Sequence, residues 1–227
     1  MRKYIILSFI IPLLTTTQLW AQGTESVDLS SFRALRVVGK IQLTAVEGSE
    51  NRLEMEARGI SVDKVQISQS KEELKIKVSP LISKDYQIIA RLTYTELDKL
   101  SASAGAEIEV TELLQVDILN LQAGSGAEID VEAVADLIYQ RAAEGAIIKI
   151  EGSAERAEIK AATGGIVRAE DLQVSKVFAK VSTGGEVEIQ VEEELDVTSS
   201  TGGEFIYSGS PSKSYTQSSL GGIIRKE

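Results

Sequence analysis

Four carboxylates are spaced for chemistry. Glu107 and Glu109 stand two residues apart, and Glu128 and Asp130 repeat the pair 21 residues later. On a strand, residues two apart point the same way, so stacked strands would gather all four on one face. Carboxylates held that close raise one another's pKa, and paired acids of this kind act on glycosidic bonds. Several β-helical enzymes work in this manner on uronic acid polymers. The same cluster also suits a calcium ion, which takes oxygen ligands, and it is equally what a solvated outer strand carries. Calcium-binding β-rolls use a nine-residue glycine- and aspartate-rich repeat, whereas the repeat here is twice as long and has one Asp in its acidic columns.

Other chemistries are closed. The chain has no histidine and no cysteine. That removes the usual general base, the Ser-His-Asp triad, imidazole and thiolate metal sites, and disulfides. The Gly-Gly pairs at Gly164, Gly184, Gly202 and Gly221 suggest a phosphate cradle. Such a cradle needs a helix after it and usually a lysine beside it. Strand-like alternation follows each pair here, so the glycines read as structure.

The elements that must position these residues follow from an internal repeat, which is the first thing to seek in such a chain. The first glycine recurs at Gly105, Gly126, Gly145, Gly164, Gly184, Gly202 and Gly221, at intervals of 21, 19, 19, 20, 18 and 19 residues. Three residues after it stand Ile108, Ile129, Ile148, Val167, Val187, Phe205 and Ile224, an apolar column that must point inward. Three residues before it stand Ala102, Ala123, Ala142, Ala161, Val181, Ser199 and Ser218, all small enough for a narrow interior. The residue after it is only ever Ala or Gly. Glycine serves corners that need positive φ or close backbone approach. A hairpin barrel or sandwich also uses short strands and glycine turns, but it gives no reason for a period near 20 with fixed columns. Stacked coils do. The expected fold is all-β, a parallel β-helix (β-solenoid) of about seven coils over residues 100–227. At about 4.8 Å per strand the rod would be roughly 34 Å long.

Residues 22–99 lack the ladder but alternate like strands: Leu35 to Val38, Lys40 to Thr44, Leu53 to Ala57, Val65 to Ser68, Leu74 to Val78 ending at Pro80, and Ile88 to Tyr94. No proline- or glycine-rich linker separates them from the ladder. They belong to the same domain and cap or extend the solenoid. At the far end Arg225, Lys226 and Glu227 supply charge to guard an open strand edge.

The chain opens with Arg2 and Lys3, an apolar run from Tyr4 to Leu14, and Ala21. That is a secretory signal peptide over residues 1–21. The alternative, an uncleaved anchor, is weakened by Thr15, Thr16, Thr17 and Gln18. Cleavage leaves 22 basic and 34 acidic residues, a formal charge of −12. Nucleic acid and anionic lipid are poor partners for that charge. No integral span is expected after cleavage.

The motif Phe32-x-x-Leu35-x-Val37-x-Gly39-x-Ile41-x-Leu43, the strand Leu74-x-Ile76-x-Val78, the entry Leu97-x-x-Leu100 and the glycine ladder occur in that order. Together they resemble the head GIN domain family, exported bacterial proteins named for a proposed auto-transporter adhesin role. The resemblance covers the mature chain and implies a β-helical protein of the periplasm or cell surface with adhesive function. An auto-transporter also needs a membrane barrel of many strands. The sequence reaches the last glycine repeat with no such segment, so self-translocation is not expected.

The functional expectation is a non-catalytic, adhesin-like binding or structural module of the cell envelope that uses no cofactor. Its partner would be an envelope protein or polysaccharide, or a second copy of the chain. The outward columns beside the glycines change sign in bands. Ile147, Ile166, Lys149 and Arg168 form the candidate partner-binding patch, since clustered exposed apolar residues mark interfaces. The competing account of these four is burial under the front half. A polysaccharide-acting enzyme using Glu107, Glu109, Glu128 and Asp130, and a calcium-stabilised solenoid, are the alternatives.

Overall fold

Alternation of apolar and polar residues at period two makes strands, and strands are nearly all that forms. The computed structural model describes residues 23–78 and 86–227. Among the described residues the one helical element is a single 3-10 turn at Val62–Lys64. The expected signal peptide and the expected strand stop at Pro80 lie outside the described residues. The front strands are β1 (Gly23–Asp28), β2 (Ala34–Val38), β3 (Gln42–Glu47), β4 (Arg52–Arg58), β5 (Val65–Gln69), β6 (Glu73–Val78) and β7 (Gln87–Tyr94). The ladder holds β8 (Lys99–Ser103), β9 (Glu107–Val110), β10 (Leu114–Gly124), β11 (Glu128–Ala143), β12 (Ile147–Ala162), β13 (Ile166–Ser182), β14 (Glu186–Ser200), β15 (Glu204–Gly209), β16 (Lys213–Ser219) and β17 (Ile223–Lys226).

The ladder is a parallel β-solenoid. Each coil has two legs, one following a glycine pair on a first face and one preceding the next pair on a second face. Ile108, Ile129, Ile148, Val167, Val187, Phe205 and Ile224 pair in register up the first face. The small column pairs likewise up the second, from Ala102 to Ser218. Both columns are buried until the last coil, where Ile224 is half-buried and Ser218 exposed. At the far corner β11 to β14 bend without ending, so each runs through both legs.

The two positions of the glycine pair do different work. Thr183 and Gly184 have φ of 53° and 68°, and the Gly185 N–H closes the turn onto the Ser182 carbonyl at 3.0 Å. Two successive left-handed residues with this bond make a type I′ turn. A Cβ on Gly184 would meet nothing within 4 Å, so its requirement is conformational. A Cβ on Gly185 would come within 2.7 Å of the Ala161 carbonyl carbon and oxygen, so its requirement is steric. The residue before the first glycine, from Ala104 to Leu220, is left-handed in all seven coils without being glycine. Each such residue costs on the order of 1–2 kcal/mol. Hydrogen bonds run through the corner and offset that: the Gly145 N–H donates to Thr163 O at 3.1 Å, and Gly164 N–H to Thr183 O at 3.1 Å.

The front half both extends and closes the rod. β2 pairs parallel with β8, and β3 with β9, so Gly39 forms the corner of a further coil beneath the ladder. Its N–H donates to Ser103 O at 3.0 Å. β6 and β7 then pair parallel with β2 and β3 on the other side, adding a second coil. The chain therefore builds these two coils out of order: β7 leads to β8 past the coil made by β2 and β3. Antiparallel strands finish this end, β5 on β6, and β4 with β1 on β7. β1 lacks a period-two signal, having Val27 as its one large apolar residue, and it is held by pairing with β4.

The other end is finished by composition. In register with the buried Leu195, Val197 and Ser199 stand Ser214, Thr216 and Ser218, so the last coil turns hydroxyls toward the interior. Arg225 pairs with Glu204 at 3.0 Å and the Lys226 Nζ donates to the Ser210 hydroxyl at 3.2 Å. Both side chains fold back onto the preceding coil.

Candidate functional site

The residues singled out in the sequence gather on the outer side of the first face. Ile147 pairs with Ile166 and Lys149 with Arg168 across β12 and β13. The isoleucines and Lys149 are half-buried and Arg168 is exposed. Burial under the front half is not what half-covers them: among the described residues β12 and β13 pack against neighbouring coils of the ladder. Lys149 leans on Glu128 at 2.6 Å, a contact that raises its pKa.

The four carboxylates also come together, with Glu128 beside Glu107 and Asp130 beside Glu109. Their partners are not one another. Glu107 Oε2 accepts a hydrogen bond from Gln42 Nε2 at 3.0 Å, and Glu128 takes Lys149. Among the described residues no three acidic side chains converge as a metal site. Glu188 is the carboxyl of this face whose pKa is raised, first by burial and then by Glu170 and Glu186, with Arg168 opposing.

The second face carries chemistry that the columns beside the glycines do not reveal. Six residues before the first glycine the outward column reads Asn120, Tyr139, Glu158, Phe178 and Asp196, in register. Two residues further on it reads Gln122, Arg141, Lys160, Lys180 and Thr198. Between these columns runs a groove of about 460 Å³. Tyr139 is 38% exposed, and Ile118, on the preceding coil, is 48% exposed. The Arg156 guanidinium lies 4.1 Å over the Phe178 ring and bonds Glu158 at 2.7 Å, which fixes that wall. Arg141, Lys160 and Lys180 are exposed and, among the described residues, make no ion pair. Each is adjacent to the next at about one strand spacing, ~4.8 Å. Like charges opposite one another disfavour the fold, so this stack is held against its own repulsion. In the sequence the one signal is the cation four residues before the first glycine in three successive repeats, Arg141, Lys160 and Lys180; the column six before it mixes residue types.

Beneath this groove, on the inner side, Gln140 is buried in a column otherwise made of Leu100, Leu121, Ile159, Ala179 and Val197. Neither amide atom has a partner. A second concavity, of about 970 Å³, lies where β7 crosses to β8 and is lined by Arg33, Glu47, Tyr94, Asp98 and Leu113 among others. The Tyr94 hydroxyl there is buried and unpartnered. Burial, then Glu47 and Glu112, push its pKa up to about 12.

With this geometry in hand, comparison with known proteins is informative about lineage and fold. The family model described as "Putative auto-transporter adhesin, head GIN domain" matches residues 31–211. No curated protein matches the chain. A solved "putative adhesin" from Bacteroides fragilis superposes with a TM-score of 0.81 at 16% identity, over 91% of this chain and 97% of that one. A "putative adhesin" from Parabacteroides merdae gives 0.71 at 18% identity, over 91% and 96%. A "Putative lipid binding protein" from Parabacteroides distasonis gives 0.65 at 16% identity, again over 91% and 96%. At these identities the likeness speaks to the fold.

Proposed function

The chain belongs to the head GIN domain family, and from that premise we propose that it is an exported, non-catalytic, adhesin-like module of the cell envelope. It binds through the outer faces of its middle coils. The interior is filled by side chains of both legs, so ligands meet the rod from outside. The observation that carries the reading is the stack of Arg141, Lys160 and Lys180 beside Tyr139 on a protein of formal charge −10. Among the described residues these cations make no ion pair, so no pairing within the fold accounts for their stacking. On the opposite face the Ile147–Ile166 pair, with Lys149 and Arg168, offers a contact for a second protein or a second copy.

The basic amino terminus with its apolar run supports export to the periplasm or the cell surface. Fractionation with protease shaving tests that placement, and recovery in the cytosol overturns it. Beads carrying the purified protein should retain envelope fragments of the producing cell, less so as salt rises, and release no soluble sugar. Sedimentation with and without the pair Ile147→Asp and Ile166→Asp tests self-association through the first face. Retention that ignores salt and both faces' variants defeats the reading.

A further inference from the structure

We infer that the groove on the second face binds an acidic polysaccharide, laid along the rod axis across β11, β12 and β13. The inference rests on the binding-module reading and names the ligand class of one of its faces. Three features of the groove converge on that class.

Charge is the first. Arg141, Lys160 and Lys180 present one cation per coil in a straight column, exposed and unpaired among the described residues. A ligand that relieves their repulsion must carry several negative charges in a line. A single small anion would neutralise one and leave the others.

Ring and groove are the second. Tyr139 projects from the neighbouring column at the same coil as Arg141. Its exposed ring offers a flat apolar body with a polar tip, the surface that the C–H face of a sugar covers while its hydroxyls keep their hydrogen bonds. Gln122 at one end of the basic column and Thr198 at the other provide neutral polar ends in register. The Glu158 carboxylate, which would otherwise repel the ligand, is already bonded to Arg156.

The rest of the molecule supplies the third. The protein as a whole is acidic, with 34 acidic against 24 basic residues. A duplex nucleic acid or an anionic bilayer is a broad charged body, and it would bring phosphates against exposed carboxylates of the same strands outside the groove, such as Asp136, Glu155 and Glu193. A single polymer chain touches the groove alone. Repulsion from charges more than about 8 Å away is screened at physiological salt.

The test uses the exported protein and four probes: polygalacturonate, neutral dextran, polyglutamate and phosphatidylglycerol vesicles. Affinity electrophoresis and titration calorimetry should give binding to polygalacturonate that weakens as salt rises, and none to dextran. Lys160→Gln with Lys180→Gln should lose about tenfold in affinity per cation removed. Lys64→Gln with Lys71→Gln makes the same change in net charge far from the groove, and it should leave binding intact. Tyr139→Ala should weaken polygalacturonate more than polyglutamate, because the latter has charge without a sugar face. Far-ultraviolet circular dichroism confirms that each variant keeps its strands. Equal loss in both lysine pairs overturns the site, and equal binding of polyglutamate or of vesicles overturns the ligand class. If the groove variants reduce retention of envelope fragments while polygalacturonate fails to bind, the ligand class falls and the binding-module reading stands. If neither envelope fragments nor polygalacturonate respond to them, both fall.

Discussion

The front half and the ladder solve one problem, a closed stack of parallel coils, by opposite means. In the ladder, coils follow in chain order and the core is thin: among the described residues alanine is thirteen of its thirty-seven buried apolar residues, against three of eighteen in the front half. The front half instead buries Phe32, Met55 and Tyr94, pairs strands distant in sequence, and closes its end with antiparallel strands. The difference shows where regularity is needed. Successive coils of the ladder meet through the same contacts, so one 19-residue solution can be copied. The front half must stop the stack, so its contacts are particular and its side chains large.

The first way to press that contrast is to remove bulk from the front half. Phe32 is 1% exposed and precedes β2, the strand on which both halves pair. Phe32→Ala should cost about 3–5 kcal/mol, transfer and cavity together. Urea unfolding should show the midpoint falling with an unchanged slope if the rod unfolds as one unit. A second transition appearing in the variant would mean that the ladder holds by itself, and would divide the molecule at that seam.

The ladder should fail by crowding. Gly185→Ala drives a methyl into the Ala161 backbone, and since backbone yields little, the cost should lie near the upper end of the 1–3 kcal/mol typical of overpacking. Its neighbour Gly184→Ala strains φ alone, and the methyl stiffens the unfolded chain in partial compensation. Its cost should be about 1 kcal/mol, within reach of thermal denaturation. Equal effects at the two positions would break the assignment of one glycine to conformation and the other to space. At Ala106, Ala127 and Ala146 the same column already accepts methyls, so the corner closes more tightly from Gly165 onward.

These pairs also explain what was legible beforehand. A column of identical roles, such as Ile108 to Ile224, can be read without coordinates because repetition averages away local accident. The glycine ladder and the inward columns are legible on that ground, and the strands β2 to β7 on their period-two alternation. The order of the front coils is not, since β2 pairs with β6 and β8, partners far away in sequence whose choice leaves no local pattern. The second-face groove is hidden in the sequence for another reason. Its columns lie before the glycines, and residues such as Tyr139, Glu158 and Phe178 share no type. They become a site when stacked register shows that they are neighbours. Inward hydroxyls at Ser214, Thr216 and Ser218 likewise look like an ordinary polar tail until paired with Leu195, Val197 and Ser199.

The mildest test concerns the seam itself. Tyr94 ends β7, is 2% exposed, and feels Glu47 from the front half and Glu112 from the ladder. Its folded pKa, about 12, stands above the ordinary phenol value of 10.0. Between those values the unfolded chain releases the phenolic proton while the folded chain keeps it. The folded state therefore binds more protons, and stability falls as pH rises through that window, by up to about 1.4 kcal/mol per pH unit. Below pH 10 both states are protonated and no contribution arises from this group. Tyr94→Phe deletes a buried hydroxyl that has no partner, so near neutral pH it should leave stability unchanged or slightly raised. Urea titrations of both proteins from pH 7 to pH 12 isolate the phenol from the other alkaline groups by difference. The curves should run together up to about pH 10 and then separate, with the variant more stable. Curves that stay parallel throughout would mean that the phenol reaches water, and that the two halves meet less closely at β7 than the burial of Tyr94 requires.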